Sequence, residues 1–286
     1  MPAPLTPQRA LLARRLRELR AAMFPSGTAL GRELGWPQPR VSKLENGGQR
    51  PTDYDLQQWL TAVKATSEQM DEIRALAVAA RIEYATFPQR YRQHGGAVAE
   101  QATTAAADAK SARIFEFQPA MVPGLLQTAG YAREVLSLPC GPASAGVPPD
   151  EIKQVVGKRM ERQQILYGTH PVRIRLVLGE AALHTRFGSV DTLLGQLDRL
   201  VAITGLGGVE IGIVPFTANL PVFPLTNFTL YDDYVLIESI TAQQRLDSPD
   251  EIARYERCFD QLRATALTGP DAVALIQRVA TEVGER

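Results

Sequence analysis

The sequence predicts two domains of different class, an all-α head of five helices and a mixed α/β body. Three observations predict this. Residues 27–47, GTALGRELGWPQPRVSKLENG, read as two short helices joined by a tight turn at Gly35. From residue 113 onward, segments alternating apolar and polar residues, beginning with RIFEFQ, interleave with helical stretches. Charge is also divided: residues 1–50 hold nine Lys or Arg against three Glu, whereas the remaining 236 hold 22 against 28, so a neutral chain has a basic head.

In the head, Pro7 opens a first helix behind Thr6 as N-cap, and the helix runs until Pro25 forbids its continuation. Leu11, Leu12, Leu16, Leu19 and Met23 form its buried stripe, leaving Arg14, Arg17 and Arg20 on a basic face. Close packing of the next two helices asks for a small residue mid-helix, which Gly31 supplies, with Leu30 and Leu34 on one face. Past the turn, Val41 and Leu44 point inward, leaving Gln38, Arg40 and Lys43 outward; Gly47 and Gly48 stop the helix. Thr52 with Asp55 makes a capping box for a fourth helix whose Leu56, Trp59, Leu60 and Val63 face inward. Ser67 caps a fifth, expected to continue toward Arg90 and break at Gly95-Gly96.

Gly31, Gly35, Val41 and the run Leu44-Glu45-Asn46-Gly47 together resemble the Xre or phage-repressor class of helix-turn-helix domains, over roughly residues 9 to 80. The chain departs from that class at Gly27, where a polar residue is usual, at Pro37, where Ser or Thr caps the recognition helix, and at Pro39, where a base-reading side chain is common. Proline fits the first turn of a helix, so the fold tolerates these changes while readout at Pro39 is lost. The resemblance implies double-stranded DNA as partner. Gln38, Arg40, Ser42, Lys43 and Asn46 are then the candidates for the major groove, and Arg14, Arg17 and Arg50 for phosphates. One such module is small, so a homodimer on two half-sites is expected.

The head is assigned to residues 1–92, a linker to 93–112, whose AVAEQATTAAADAKSA carries almost no large apolar residues, and the body to 113–286. In the body, RIFEFQ, VRIRLVLG (172–179), VEIGIVPF (209–216), LTNFTLYDD and YVLIESI read as strands, the last two as a hairpin through Asp233. QTAGYAREVL, EIKQVVGKRMERQQILYG, VDTLLGQLDRLVAIT, PDEIARYERCFDQLRATAL and DAVALIQRVATEV read as helices. In Val122-Pro123-Gly124-Leu125-Leu126-Gln127-Thr128 the proline and glycine turn the chain and the leucines start a helix, placing Gln127 and Thr128 where amides and the dipole attract anions. That block resembles the C-terminal domain of WhiJ-like actinomycete regulators, a domain long of unknown function and described as antitoxin-like. So do Arg162-Gln163 with Ile165-Leu166, the run from Leu178 to Leu183, the run from Gln196 to Leu200, and Val214-Pro215-Phe216. The resemblance implies a regulator often encoded beside a small companion protein. Gln127, Thr128, Arg162 and Glu180 are the candidate partner or ligand contacts.

Composition adds exclusions. Nothing resembles an apolar run of about 20 residues or a signal peptide, so a cytoplasmic protein without membrane contact is expected. Cys140 and Cys258 have no CxxC spacing and are expected to be plain thiols. His94, His170 and His184 are scattered, and neither a metal nor another cofactor is expected. GxSxG, HExxH and GxxxxGK[ST] are all missing, and Glu161 or Glu180 alone is a weak base candidate, so catalysis is not expected. The reading is a sequence-specific transcriptional regulator. The alternatives are an antitoxin-like protein that sequesters a small companion and autoregulates its operon, and a small-molecule-sensing regulator with a pocket lined by Glu161, Glu180 or His184.

Overall fold

A computed structural model describes residues 7–139, 147–168, 172–223 and 226–285, so Thr6, Cys140 and His170 lie outside the described residues. The chain divides into two compact units, Met1–Tyr84 and Ala85–Arg286.

The first unit holds α1 (Pro7–Met23), α2 (Gly27–Leu34), α3 (Gln38–Glu45), α4 (Asp53–Ala62) and α5 (Ser67–Arg81). Its core collects one stripe from each helix: Leu12, Leu16 and Leu19 from α1, Leu30, Val41 and Leu44 from α2 and α3, and Leu56, Trp59 and Ile73 from α4 and α5. Trp59 packs with its ring centroid 6.3 Å from that of Trp36, which the turn between α2 and α3 contributes to the core. Met23, expected on the α1 stripe, is exposed, because it lies in the last turn beyond the reach of the core. The capping box at Thr52 and Asp55 forms as expected. Thr66 rather than Ser67 caps α5, through reciprocal bonds with Gln69.

A continuous helix from Ser67 to Arg90 does not form. The chain passes through β1 (Ile82–Thr86) before α6 (Phe87–His94), since Pro88 has no N–H to continue a helix through this point but fits the first turn of a new one, and Thr86 makes a second capping box with Gln89. Residues expected as a linker contain α7 (Ala97–Lys110), which belongs to the second unit and buries Ala97, Glu100 and Asp108.

The second unit continues with β2 (Arg113–Gln118), α8 (Ala129–Leu136), α9 (Pro149–Arg162), β3 (Arg173–Gly179), α10 (Ala181–His184), α11 (Val190–Ile203), β4 (Val209–Val214), β5 (Phe228–Leu230), β6 (Val235–Glu238), β7 (Ala242–Leu246), α12 (Pro249–Thr265), β8 (Leu267–Thr268) and α13 (Gly269–Gly284). The sheet runs β1-β7-β6-β5-β2-β3-β4-β8, with β1 entering this unit at Ala85. β2, β3 and β4 are parallel at its centre and β5, β6, β7 and β8 are antiparallel. The expected hairpin is the β5–β6 pair, closed by Tyr231 N–H donating to Tyr234 O at 2.9 Å.

Side-chain alternation splits the sheet into two faces. Ile114, Ile174, Leu176 and Ile211 meet Leu197 and Leu200 of α11 and Leu275 and Ile276 of α13. Phe115, Phe117, Val177 and Leu230 meet Phe259 and Leu262 of α12 on the other side. At the end of β3 the chain backs so closely onto Pro119 that a Cβ at Gly179 would stand 2.4 Å from its carbonyl oxygen, which requires glycine there. A third cluster joins α7, α8 and α9 through Ala97, Leu136, Ile152 and Val156.

Candidate functional site

The α2–α3 pair is locked at several points. Ser26 Oγ accepts from Ala29 N–H to cap α2, and Gly35 closes it at φ 66°. Trp36 N–H then donates to Gly31 O at 2.7 Å, and a Cβ at Gly31 would lie 2.9 Å from Trp36 O, so this turn admits no side chain at position 31. α3 starts at the Pro37 cap, buries Val41 and Leu44, and ends at Gly47, which takes φ 66°.

Its far end is tied to α1. Arg20 donates from Nε to Glu45 Oε1 at 2.7 Å and from Nη2 to Glu45 Oε2 at 3.3 Å, while Arg17 Nη2 donates to Glu45 O at 2.7 Å and Asn46 Oδ1 at 2.6 Å. Arg17 and Asn46 therefore form one clasp, completed by Asn46 Nδ2 on Ser42 Oγ at 3.2 Å. Gln38 and Lys43 are exposed on the outward face, and Ser42 is half-buried. Arg40 is held: Nη2 donates to Asp55 Oδ1 at 2.5 Å and its guanidinium lies 4.2 Å from the Trp36 ring centroid. Arg14 is exposed, 3.7 Å from Glu18, and Arg50 is half-buried beside Arg9 and Gly47.

In the second unit, Leu125 and Leu126 occupy a single 3-10 turn rather than a helix start, and Thr128 caps α8. Three glutamines satisfy the backbone of this turn: Gln127 Nε2 donates to Val122 O at 2.8 Å, Gln163 Nε2 to Gln127 O at 2.7 Å, and Gln196 to Leu126 O at 2.9 Å while accepting from Thr128 N–H at 2.7 Å. Glu180 is buried elsewhere, accepting from Phe216 N–H at 2.7 Å with Arg278 at 3.4 Å and His184 at 3.7 Å. Arg162 donates to Asp108 Oδ2 at 2.5 Å. Of the four candidates, Gln127 and Arg162 thus line one cavity, while Thr128 and Glu180 do not. Glu161 is exposed and paired with Lys158.

That cavity, about 640 Å³, lies under the polar row of β2. The alternation of RIFEFQ matches a strand with one wet face, yet Glu116 and Gln118 are buried and line the cavity. Burial pushes the Glu116 carboxyl up to about 7, against a Gln118 hydrogen bond that lowers it. Arg159 reaches in from α9, donating from Nη1 to Gln127 Oε1 at 2.8 Å; burial and then the neighbouring Arg162 bring its guanidinium down to about 10. Arg90 with Glu100, itself paired with His94, forms a further wall. None of these residues carries a local sequence motif, and only the polar row of β2 hinted at them. Among the described residues, no cluster of three His, Cys, Asp or Glu is placed to hold a metal ion, and no helix is long and apolar enough to cross a membrane.

A family model described as a helix-turn-helix domain matches residues 11–73, which supports a DNA-binding protein, and a model described as a domain of unknown function, DUF5753, matches residues 101–278. No curated protein matches the chain. Among solved structures, TrmBL2, an archaeal chromatin protein described as showing a novel mode of DNA binding, aligns with 91% of this chain and 93% of its own at 13% identity. Its TM-score of 0.32 is too low to indicate a common fold. As the second match spans well over half of the sequence, the chain belongs to the DUF5753 family, with a helix-turn-helix domain ahead of the defining domain.

Proposed function

We propose that the protein is a sequence-specific, non-enzymatic transcriptional regulator of the cytoplasm that inserts α3 into the major groove of double-stranded DNA. The observation that carries this is the pinning of α3 at both ends, with Gln38 and Lys43 left exposed on its outward face. A helix fixed in this way presents polar groups without the entropic cost of ordering them on contact. Gln38 and Ser42 read base edges, Lys43, Arg14 and Arg50 meet phosphates, and the Arg17–Asn46 clasp holds the end of the helix against α1. Arg40, tethered by Asp55, reaches DNA only through the part of its fork that remains outward. Selection of bound fragments from random duplex DNA by the full chain tests this. A recovered consensus supports the reading, and retention without sequence enrichment rejects sequence-specific regulation.

The second unit supplies the protein contact, either a homodimer or a small companion protein in the antitoxin-like manner of the WhiJ-like group. Supporting this, Phe216 is 67% exposed and Phe223 81% exposed in the stretch after β4, with Leu220 between them. Co-expression with the product of a neighbouring gene, followed by sedimentation, separates the two: a stoichiometric heterocomplex supports the companion, a dimer alone supports self-association, and a monomer alone rejects both.

A further inference from the structure

The cavity under β2 contains unmet polar chemistry. Arg159 Nε, Gln101 Oε1 and Gln243 Oε1 are all buried and have no hydrogen-bond partner among the described residues, and all three residues line it. Buried polar groups are nearly always paired, so three orphans around one space mark a place where something else completes them. Ion pairing is also uneven. Arg90 is matched by Glu100, and Arg162 by Asp108, which also accepts from Tyr231 Oη at 2.8 Å. Among the described residues Arg159 has only the neutral amide of Gln127 as hydrogen-bond partner, with Glu238 and Glu116 near enough to act on it through charge but not bonded to it. Met121, Val135, Leu136, Leu236 and Ile240 give the wall an apolar stretch, beside polar Thr104, Thr229 and Ser239 and the carboxylate of Glu238. A volume of about 640 Å³ suits a small organic molecule rather than an ion.

We propose that this cavity binds a small amphipathic organic acid, its carboxylate on Arg159, a hydroxyl or amide N–H on Gln101 or Gln243, and its apolar body against Met121, Leu136 and Leu236. A planar guanidinium suits a carboxylate, and the pairing is strong where water is excluded. Glu116 does not oppose it, because its carboxyl is pushed up to about 7 and is largely uncharged below that pH, and Glu238 is exposed and accepts from Gln243 Nε2 at 3.0 Å. The site lies wholly in the second unit and is independent of the DNA-binding reading.

The test is calorimetric titration of the full chain, without DNA, at pH 6 with two acids and their uncharged counterparts: 3-hydroxydecanoate against decane-1,3-diol, and N-acetylphenylalanine against its amide. At least one acid is expected to bind about tenfold or more tightly than its neutral partner, with a similar loss in Arg159→Gln and partial recovery in Arg159→Lys. Equal affinity of acid and neutral partner, no binding by either acid, or unchanged binding in Arg159→Gln overturns the proposal. Displacement of a bound acid by inorganic phosphate alone overturns it too, as that marks a bare anion site. If Arg159→Gln does not fold, the wild-type comparison of acid and neutral partner decides by itself. Failure here leaves the duplex selection experiment untouched.

Discussion

Arg20 and Glu45 face each other across α1 and the last turn of α3 in a two-point ion pair, Nε to Oε1 at 2.7 Å, with both side chains largely out of water. Removing one partner leaves a desolvated charge. Glu45→Ala is expected to destabilise the first unit by about 2 to 3 kcal/mol, below the full penalty for a completely buried pair. The double variant Arg20→Met with Glu45→Met is expected to recover most of that. Urea unfolding of the full chain, followed by Trp36 and Trp59 fluorescence, measures both; equal stability of Glu45→Ala and wild type rejects a structural role for the pair.

Gly31→Ala places a methyl group 2.9 Å from the Trp36 carbonyl oxygen, a backbone atom that cannot rotate away. The expected cost is about 1 to 3 kcal/mol, as for overpacked interiors, despite the better helix propensity of alanine. Thermal melting shows the sign: a raised midpoint would mean that the α2–α3 turn opens to admit the methyl group.

On the exposed face of α3, two substitutions are expected to differ in kind. Lys43→Ala weakens binding to all duplexes alike and lowers the salt slope by about one, whereas Gln38→Ala costs about 1 to 3 kcal/mol and relaxes a single base position. Arg40→Ala is expected to reduce stability as well as affinity, since it leaves the Asp55 carboxylate without its arginine. Gel shifts at several salt concentrations, set beside melting curves, separate the three.

Glu116 makes the second unit sensitive to pH. Its carboxyl rises from 4.5 to about 7 on folding through burial, so the fold favours the protonated form. Its contribution is fully present below about 4.5 and is lost as pH climbs through 7, a change of about 3 kcal/mol. Gln118, Arg162, Glu238 and Asp108 are the neighbours that modulate it. Glu116→Gln is expected to remove that part, so the stability difference between variant and wild type should grow by about this amount from pH 4.5 to 8. A constant difference between the two proteins across that window would show that Glu116 is not the group responsible.

Gln196 satisfies Thr128 N–H and Leu126 O at once from a fully buried position. Gln196→Ala leaves two backbone groups unpaired, and a loss of about 3 kcal/mol is expected by chemical denaturation. A loss under about half a kcal/mol would mean that the turn is held by Gln163 and Gln127 alone.

The head was largely legible because its signals are local: glycine at Gly35 and Gly47, the capping pair Thr52 and Asp55, and apolar spacing through Leu56, Trp59 and Leu60. The strands that escaped sequence reading lack such signals. β7, AQQRL, has no β-branched residue and is a strand by virtue of pairing with β6; β8 is two residues long. Long-range partners were the other blind spot. Alternation in β2 gives the same pattern whether its polar row faces water or an internal space, so Glu116 could not be placed, and Arg159 on α9 looked like one of many helix cations. Nor could spacing show that Arg40 and Asp55, fifteen positions apart, are partners.

Asp55 serves two masters: one oxygen accepts the Thr52 N–H that begins α4, and the other holds Arg40 on α3. Fraying at the start of α4 therefore slackens a side chain on a different helix. Heat tolerance and the posture of the outward side of α3 share one carboxylate, so selection acting on either trait drags the other along.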